Sequence, residues 1–203
     1  MANISIDNPI TNELKRKYVH LLSFAIPLWY IISPSTIIVF TSIVLFLVLL
    51  IDLSRLFTDN YISYYFNYYL ADTTRDYENK KLLSATVLII SFFFVILLFE
   101  PSIAIYSITF ACISDAAAAI FGIKFGKISN YLNKTFEGSL AFLLSSIIIV
   151  CIYLPILKIE IDIIYMIFCI VIITVIEFIT PTKYDNISVP ISSAIIISAF
   201  SML

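Results

Sequence analysis

The stretch Ser114 to Phe142, SDAAAAIFGIKFGKISNYLNKTFEGSLAF, holds all three glycines of the chain, Gly122, Gly126 and Gly138. It also carries a carboxylate inside an apolar run, Asp115, and the cluster Lys134, Thr135 and Glu137. Glycine permits close backbone approach, and this chain reserves it for one segment. Ser114, Ala118, Gly122 and Gly126 recur at a spacing of four, and Ala111, Asp115 and Ala119 share the adjoining face. Such a stripe of small residues is what helices use to pack closely in a bilayer. It leaves Asp115 unexplained, because a carboxylate within a span costs a few kcal/mol and usually faces a cavity or a partner.

The composition around this stretch fixes the class. Of 203 residues, 61% are hydrophobic and 13% charged, and the mean hydropathy is +1.04. Soluble domains carry about 25% charged residues, so the chain is expected to be an integral, multi-pass membrane protein. The net charge of -2 describes no single surface, because the charges lie between apolar blocks. Cys112, Cys151 and Cys169 each sit alone in an apolar run and read as small buried hydrophobes. The first 17 residues are polar, without the apolar core and cleavage site of a secretory signal, so this cytoplasmic segment is expected to stay with the mature protein.

A span needs roughly 20 apolar residues, somewhat fewer where neighbours bury its ends. Seven segments approach this, at about 18 to 32, 35 to 51, 82 to 99, 102 to 121, 137 to 157, 162 to 179 and 187 to 203. The first is short and contains Pro27. Breaks fall at Ser33-Pro34, at Pro101-Ser102, between Lys158 and Asp162, and at Pro181. The predicted fold is therefore all-α, one membrane-embedded domain over residues 1–203 with about seven transmembrane helices. With the N-terminus inside, eleven of the twelve Lys and Arg residues fall in cytoplasmic segments and only Lys158 lies outside. Short loops follow that asymmetry, so the C-terminus is expected outside and the polar motifs on the cytoplasmic face.

Within the cytoplasmic loop 52–81, Tyr61, Tyr65 and Tyr68 recur at helical spacing beside Ile62, Phe66 and Tyr69, which suits an aromatic helix in the headgroup layer. Asp52 and Arg55, three apart, are expected to pair as structural support. Asn133-Lys-Thr135 and Asn186-Ile-Ser188 match glycosylation acceptors but lie on the cytoplasmic side in this topology.

After Gly122, the loop brings Lys124, Lys127 and Lys134 together and ends at a helix start, where Thr135 can cap and Glu137 falls in the first turn. Free N–H groups at a helix start favour phosphate oxygens, and lysines add point charges. Topology alone accounts for cytoplasmic lysines, and Glu137 also suits the helix dipole. With Asp115 nearby, the combination matches what a magnesium-nucleotide site requires.

The pattern SDAAAAIFGIKFGK followed by KTFEGSLA closely resembles the motif of the dolichol kinase family, with its polyprenol, phytol and CTP-dependent diacylglycerol kinases. Three further segments are similar to that family in the same order: ELKRKYVH (Glu13 to His20), RDYENKKLLSAT (Arg75 to Thr86) and EFITPTKYDNISVP (Glu177 to Pro190). The resemblance implies a transferase that moves a phosphoryl group from CTP, or another nucleotide, to the hydroxyl of a membrane lipid. It implies that Asp115 and Glu137 hold Mg2+, and that Lys124, Lys127 and Lys134 bind phosphates. Gly122, Gly126, Thr135 and Gly138 would shape the nucleotide loop, with Arg16 and His20 near the substrate phosphate. Asp185 and Asn186 would complete the site, with either Asp185 or Glu177 as the base. The expected partners are the bilayer, the lipid alcohol and the nucleotide, with no nucleic acid.

Two rival readings remain at this level. Phosphatidate cytidylyltransferases carry a related segment, but their second acidic motif has no match in Glu177 to Asn186. A small transporter would also use a buried carboxylate, but would not gather nearly all polar motifs on one side.

Overall fold

In a computed structural model of the chain, described over residues 9–57, 81–157 and 162–201 together with Tyr61, Tyr64, Tyr65, Thr74 and Glu78, the regular elements are helices. The interfacial helix expected around Tyr68, and Arg75, Lys80 and Lys158, lie outside the described residues. Eight helices are described: α1 Pro9–Leu22, α2 Ala25–Ile32, α3 Ile37–Phe57, α4 Ser84–Leu98, α5 Pro101–Phe125, α6 Phe136–Tyr153, α7 Ile163–Ile179 and α8 Asp185–Ser201.

The segment expected as a first span is broken. The chain turns at Ser23 and Phe24, where Phe24 N–H bonds the Leu21 carbonyl and Ile26 N–H bonds the Ser23 carbonyl. Pro27 explains the position of the break, since its ring clashes with the carbonyl four residues back, that of Ser23. Among the described residues, three helices, α3, α5 and α6, are long and apolar enough to cross a membrane, and α7 with the following segment would make four if that pair, bent by 120°, is one span. α4 is apolar but only 15 residues long.

Burial ranks these helices. α5 is 78% buried in its most apolar window, whereas α3 is 17% buried, so α5 is the axis and α3 an edge. α1, α2, α4, α6 and α8 all pack on α5, while α3 packs on α4. The outward faces carry Val39, Phe46, Phe94, Leu144, Ile148, Phe168 and Ile195, exposed to the surroundings. Lipid is as apolar as these side chains, so outward exposure costs them nothing, and close packing must hold the helices together. The same argument corrects one expectation: Cys112 and Cys169 are buried, but Cys151 is exposed on α6.

The tightest crossing is that of α5 with α6, and the glycines make it possible. A Cβ on Gly138 would lie 2.7 Å from the Ala118 carbonyl oxygen, and one on Gly122 2.8 Å from Thr135 Oγ1. The small-residue stripe is therefore a packing seam, and it draws the ends of α5 and α6 together around Asp115 and Lys134.

Candidate functional site

α5 changes register immediately before Asp115. Residues Phe110–Ser114 form a π-helical turn, in which Asp115 N–H bonds the Phe110 carbonyl, five residues back. Single π turns inside α-helices occur frequently at functional sites. In an α-helix the Ala111 carbonyl would accept that bond; here it meets the His20 ring, Nδ1 to O 3.5 Å. The π turn thus aims the Asp115 carboxylate toward α1, where Lys17 Nζ donates to its Oδ2 and His20 Nδ1 lies 3.4 Å away. Asp115, Lys17 and His20 are all buried.

On the other side of the site, the loop between α5 and α6 folds into a small hairpin. Phe136 N–H bonds the Ile128 carbonyl and Asn130 N–H bonds the Lys134 carbonyl, while Asn133 occupies the left-handed region at φ 60°. Asn130 holds the turn: its Oδ1 accepts from the N–H of Leu132 and Lys134, and its Nδ2 donates to the Phe178 carbonyl at 2.6 Å. Thr135 Oγ1 caps α6 by accepting from Gly138 N–H at 3.1 Å.

The hairpin delivers Lys134 to the end of α7. Its Nζ donates to the Glu177 carbonyl at 2.5 Å, to Glu177 Oε1 at 2.8 Å and to Asp185 Oδ1 at 2.8 Å. A lysine ammonium has three donors, so all are engaged here by protein, and a phosphate would have to displace one. Ser139 Oγ donates to Glu177 Oε2 at 2.8 Å. Burial alone would depress the Lys134 ammonium, but the Asp185 and Glu177 carboxylates outweigh it and raise its pKa above the ordinary lysine value.

These groups line one cavity of about 320 Å³. Asp115, Gly122, Lys134, Thr135, Gly138, Glu177 and Asp185, all expected from sequence, meet there. Glu13, Lys17, Asn133, Ser139 and Thr182 complete its polar lining without having been assigned a site role. Lys17 stands in the segment ELKRKYVH, but a lysine before an apolar run reads first as a topological charge. Its signal was Asp115 itself, a buried carboxylate requiring a cation.

Other expected site residues lie elsewhere. Lys124, Gly126, Lys127 and Glu137 line a separate surface hollow. Glu137 Oε2 faces the Ile128 N–H at 3.4 Å there. The metal pair expected from Asp115 and Glu137 is therefore not assembled, because the first turn of α6 points Glu137 to the outer side of the hairpin. Among the described residues, no three His, Cys, Asp or Glu side chains are grouped as a metal site. Arg16, His20 and Asn186 face a second, smaller cavity of about 180 Å³. Glu13, Lys17, Thr182 and Asp185 line both cavities and so form their common wall.

A third cluster supports the second cavity. Asp52, fully buried, accepts from Arg55 Nη2 at 2.8 Å, Leu83 N–H at 2.7 Å and Thr86 Oγ1 at 2.7 Å. Arg55 in turn donates to the Glu78 and Lys81 carbonyls. The expected Asp52–Arg55 pair thus serves as the missing cap at the start of α4. Asn186 Nδ2 donates to the Ser84 carbonyl at 2.6 Å and ties α8 to that same helix start.

Comparison with known proteins adds one relative. An uncharacterized protein of Rickettsia prowazekii (strain Madrid E) is 29% identical over 193 residues, covering 89% of this chain and 90% of that protein. No family model matches the chain. No solved structure matches it.

Proposed function

We propose that this chain transfers the terminal phosphoryl group of a nucleoside triphosphate, CTP by the sequence resemblance, to the hydroxyl of a membrane lipid alcohol. Polyprenol, dolichol, phytol and diacylglycerol are the acceptors that the resemblance implies. The supporting observation is the lining of the first cavity, where four carboxylates, Glu13, Asp115, Glu177 and Asp185, face two ammonium groups, Lys17 and Lys134. That excess of negative charge repels a bare phosphate and favours one that arrives with a divalent cation.

The donor chemistry fits magnesium, which takes hard oxygen ligands and commonly uses one or two carboxylates with phosphates and water. Asp115 would hold it from the cavity wall, in place of the expected pair with Glu137. When bound, the cation neutralises charge on the phosphates. Lys17 and Lys134 orient the carboxylates and supply positive charge close to the transferring group. The Gly122–Gly138 seam keeps the floor of the cavity narrow, so the phosphates approach the backbone. Catalysis is then chiefly positioning and charge compensation.

The reading carries its topology with it: seven crossings, N-terminus in the cytoplasm, C-terminus outside and the cavity on the cytoplasmic side, supported by the distribution of Lys and Arg. Its test is nucleotide binding by purified protein in detergent. Wild-type protein should bind CTP only with Mg2+, and Asp115→Asn should weaken that binding by about tenfold or more. Equal binding with and without Mg2+, or by both proteins, would contradict the assignment of the cavity.

A further inference from the structure

Two adjoining cavities that share two carboxylates, Glu13, which pairs with Arg16, and Asp185, are more than a nucleotide site needs. The second lies between α1, the start of α4 and the start of α8, and its wall is more apolar than that of the first. Val19, Leu83 and Ala85 supply carbon surface there. The charged groups beside them are engaged with protein: Arg16 with Glu13, Lys17 with Asp115, and Glu78 with the Ser84 side chain and N–H. This lining suits an amphipathic molecule with one small polar end and an apolar body.

Asp185 distinguishes itself from Glu177 by position. Glu177 lines only the first cavity, and both its carboxylate oxygens are taken, Oε1 by Lys134 and Oε2 by Ser139. Asp185 lines both cavities. Its Oδ1 accepts from Lys134, while Oδ2 has no hydrogen-bond partner among the described residues. The charged groups around it are Glu13 and Lys17 of α1, Asp115 of α5, Lys134 of the hairpin and Glu177 of α7.

Resting on the kinase reading above, we propose that the second cavity seats the hydroxyl end of the lipid acceptor and that Asp185 receives its proton. The hydroxyl oxygen forms a bond to the terminal phosphorus of the nucleotide in the first cavity. The bond from that phosphorus to the β–γ bridging oxygen breaks, and its electron pair leaves with the nucleoside diphosphate. The hydroxyl proton passes to the Asp185 carboxylate, and the product is a lipid phosphate monoester.

The test combines photolabelling with kinetics, both on the full chain in detergent. A long-chain primary alcohol bearing a diazirine near its hydroxyl should label Val19, Leu83 or Ala85, and Ala85→Phe should abolish that labelling. Ala85→Phe should raise the acceptor KM by about tenfold or more while the nucleotide KM stays at the wild-type value. Asp185→Asn should keep the photolabel and its thermal transition but lower kcat by about a hundredfold or more. Label found only outside this cavity, or an unchanged acceptor KM in Ala85→Phe, would overturn the acceptor site. Near-wild-type kcat in Asp185→Asn would overturn the proton assignment. Specific label in the cavity without any phosphorylated lipid from the wild type would retain the alcohol site while the kinase reading falls.

Discussion

Lys134 Nζ lies 2.5 Å from the Glu177 carbonyl oxygen and 2.8 Å from Glu177 Oε1, so one ammonium both closes the end of α7 and neutralises its last carboxylate. A cation at a helix C-terminus is favoured by the helix dipole, and here it also carries the α5–α6 hairpin onto α7. The site and the fold therefore share a residue, which shapes what its substitution does.

Lys134→Met should destabilise the protein by about 3–5 kcal/mol, because it leaves buried Glu177 and Asp185 without their cation. Thermal unfolding in detergent should show the loss, and adding Glu177→Gln to the same protein should recover part of it. Full recovery of stability without recovery of transfer would separate the structural role of Lys134 from its catalytic one.

The raised pKa of Lys134 gives a prediction with a definite sign. A lysine whose folded pKa exceeds its ordinary value of 10.5 contributes its ion pairing fully below that value, and loses it only as pH rises through the higher folded pKa. Lys134 should therefore resist amine-directed acylation at mildly alkaline pH, while Lys124 and Lys127, both exposed, react. Peptide mass spectrometry of briefly treated protein reads the difference. Equal modification of all three would refute the buried pairing.

Gly138→Ala and Gly122→Ala should differ despite their similar positions. Both new methyl groups meet the Thr135 hydroxyl, but the one at 138 also meets the Ala118 backbone carbonyl, which cannot step aside. Overpacking of this kind typically costs about 1–3 kcal/mol, and Gly138→Ala should lie at the upper end. Adding Thr135→Ala should relieve Gly122→Ala but leave Gly138→Ala with its clash against the Ala118 carbonyl, apart from the cost of about 1 kcal/mol for the lost cap. Unfolding midpoints of the four proteins decide it.

Asp52→Ala should lower stability without touching nucleotide affinity. It strips the start of α4 of its carboxylate cap and leaves the buried Arg55 guanidinium without that partner, at a cost of about 3–5 kcal/mol. A binding isotherm for Mg-CTP measured below the lowered transition should match the wild type. A large change in nucleotide affinity would place Asp52 in the site.

Several of these relationships were legible in the sequence. An apolar chain that keeps Asp115, Lys134, Glu177 and Asp185 has to pair them, and three of the four form one ion cluster while Asp115 lines the same cavity. Helix positions were legible wherever proline marked an end. The π turn was not, because it replaces one hydrogen-bond register by another without any residue that demands it. Its consequence, the turn of Asp115 toward Lys17 and His20, was hidden with it. Glu137 and the lysines Lys124 and Lys127 read as site residues by proximity along the chain. Which side of the hairpin they occupy depends on how the Gly122–Gly138 crossing orients α6, a tertiary fact.

Phosphoryl transfer at the cavity containing Asp115 can be read from the fate of two labels. Purified protein is given Mg2+, a panel of lipid alcohols, and CTP labelled in either the γ- or the α-phosphate. γ-Label should appear in the lipid fraction with release of CDP, and Asp115→Asn should lose that product with the protein still folded. Appearance of α-label in lipid on supplying phosphatidate, with pyrophosphate released, would make the protein a cytidylyltransferase. Absence of both labels from every lipid would contradict phosphoryl transfer at this site.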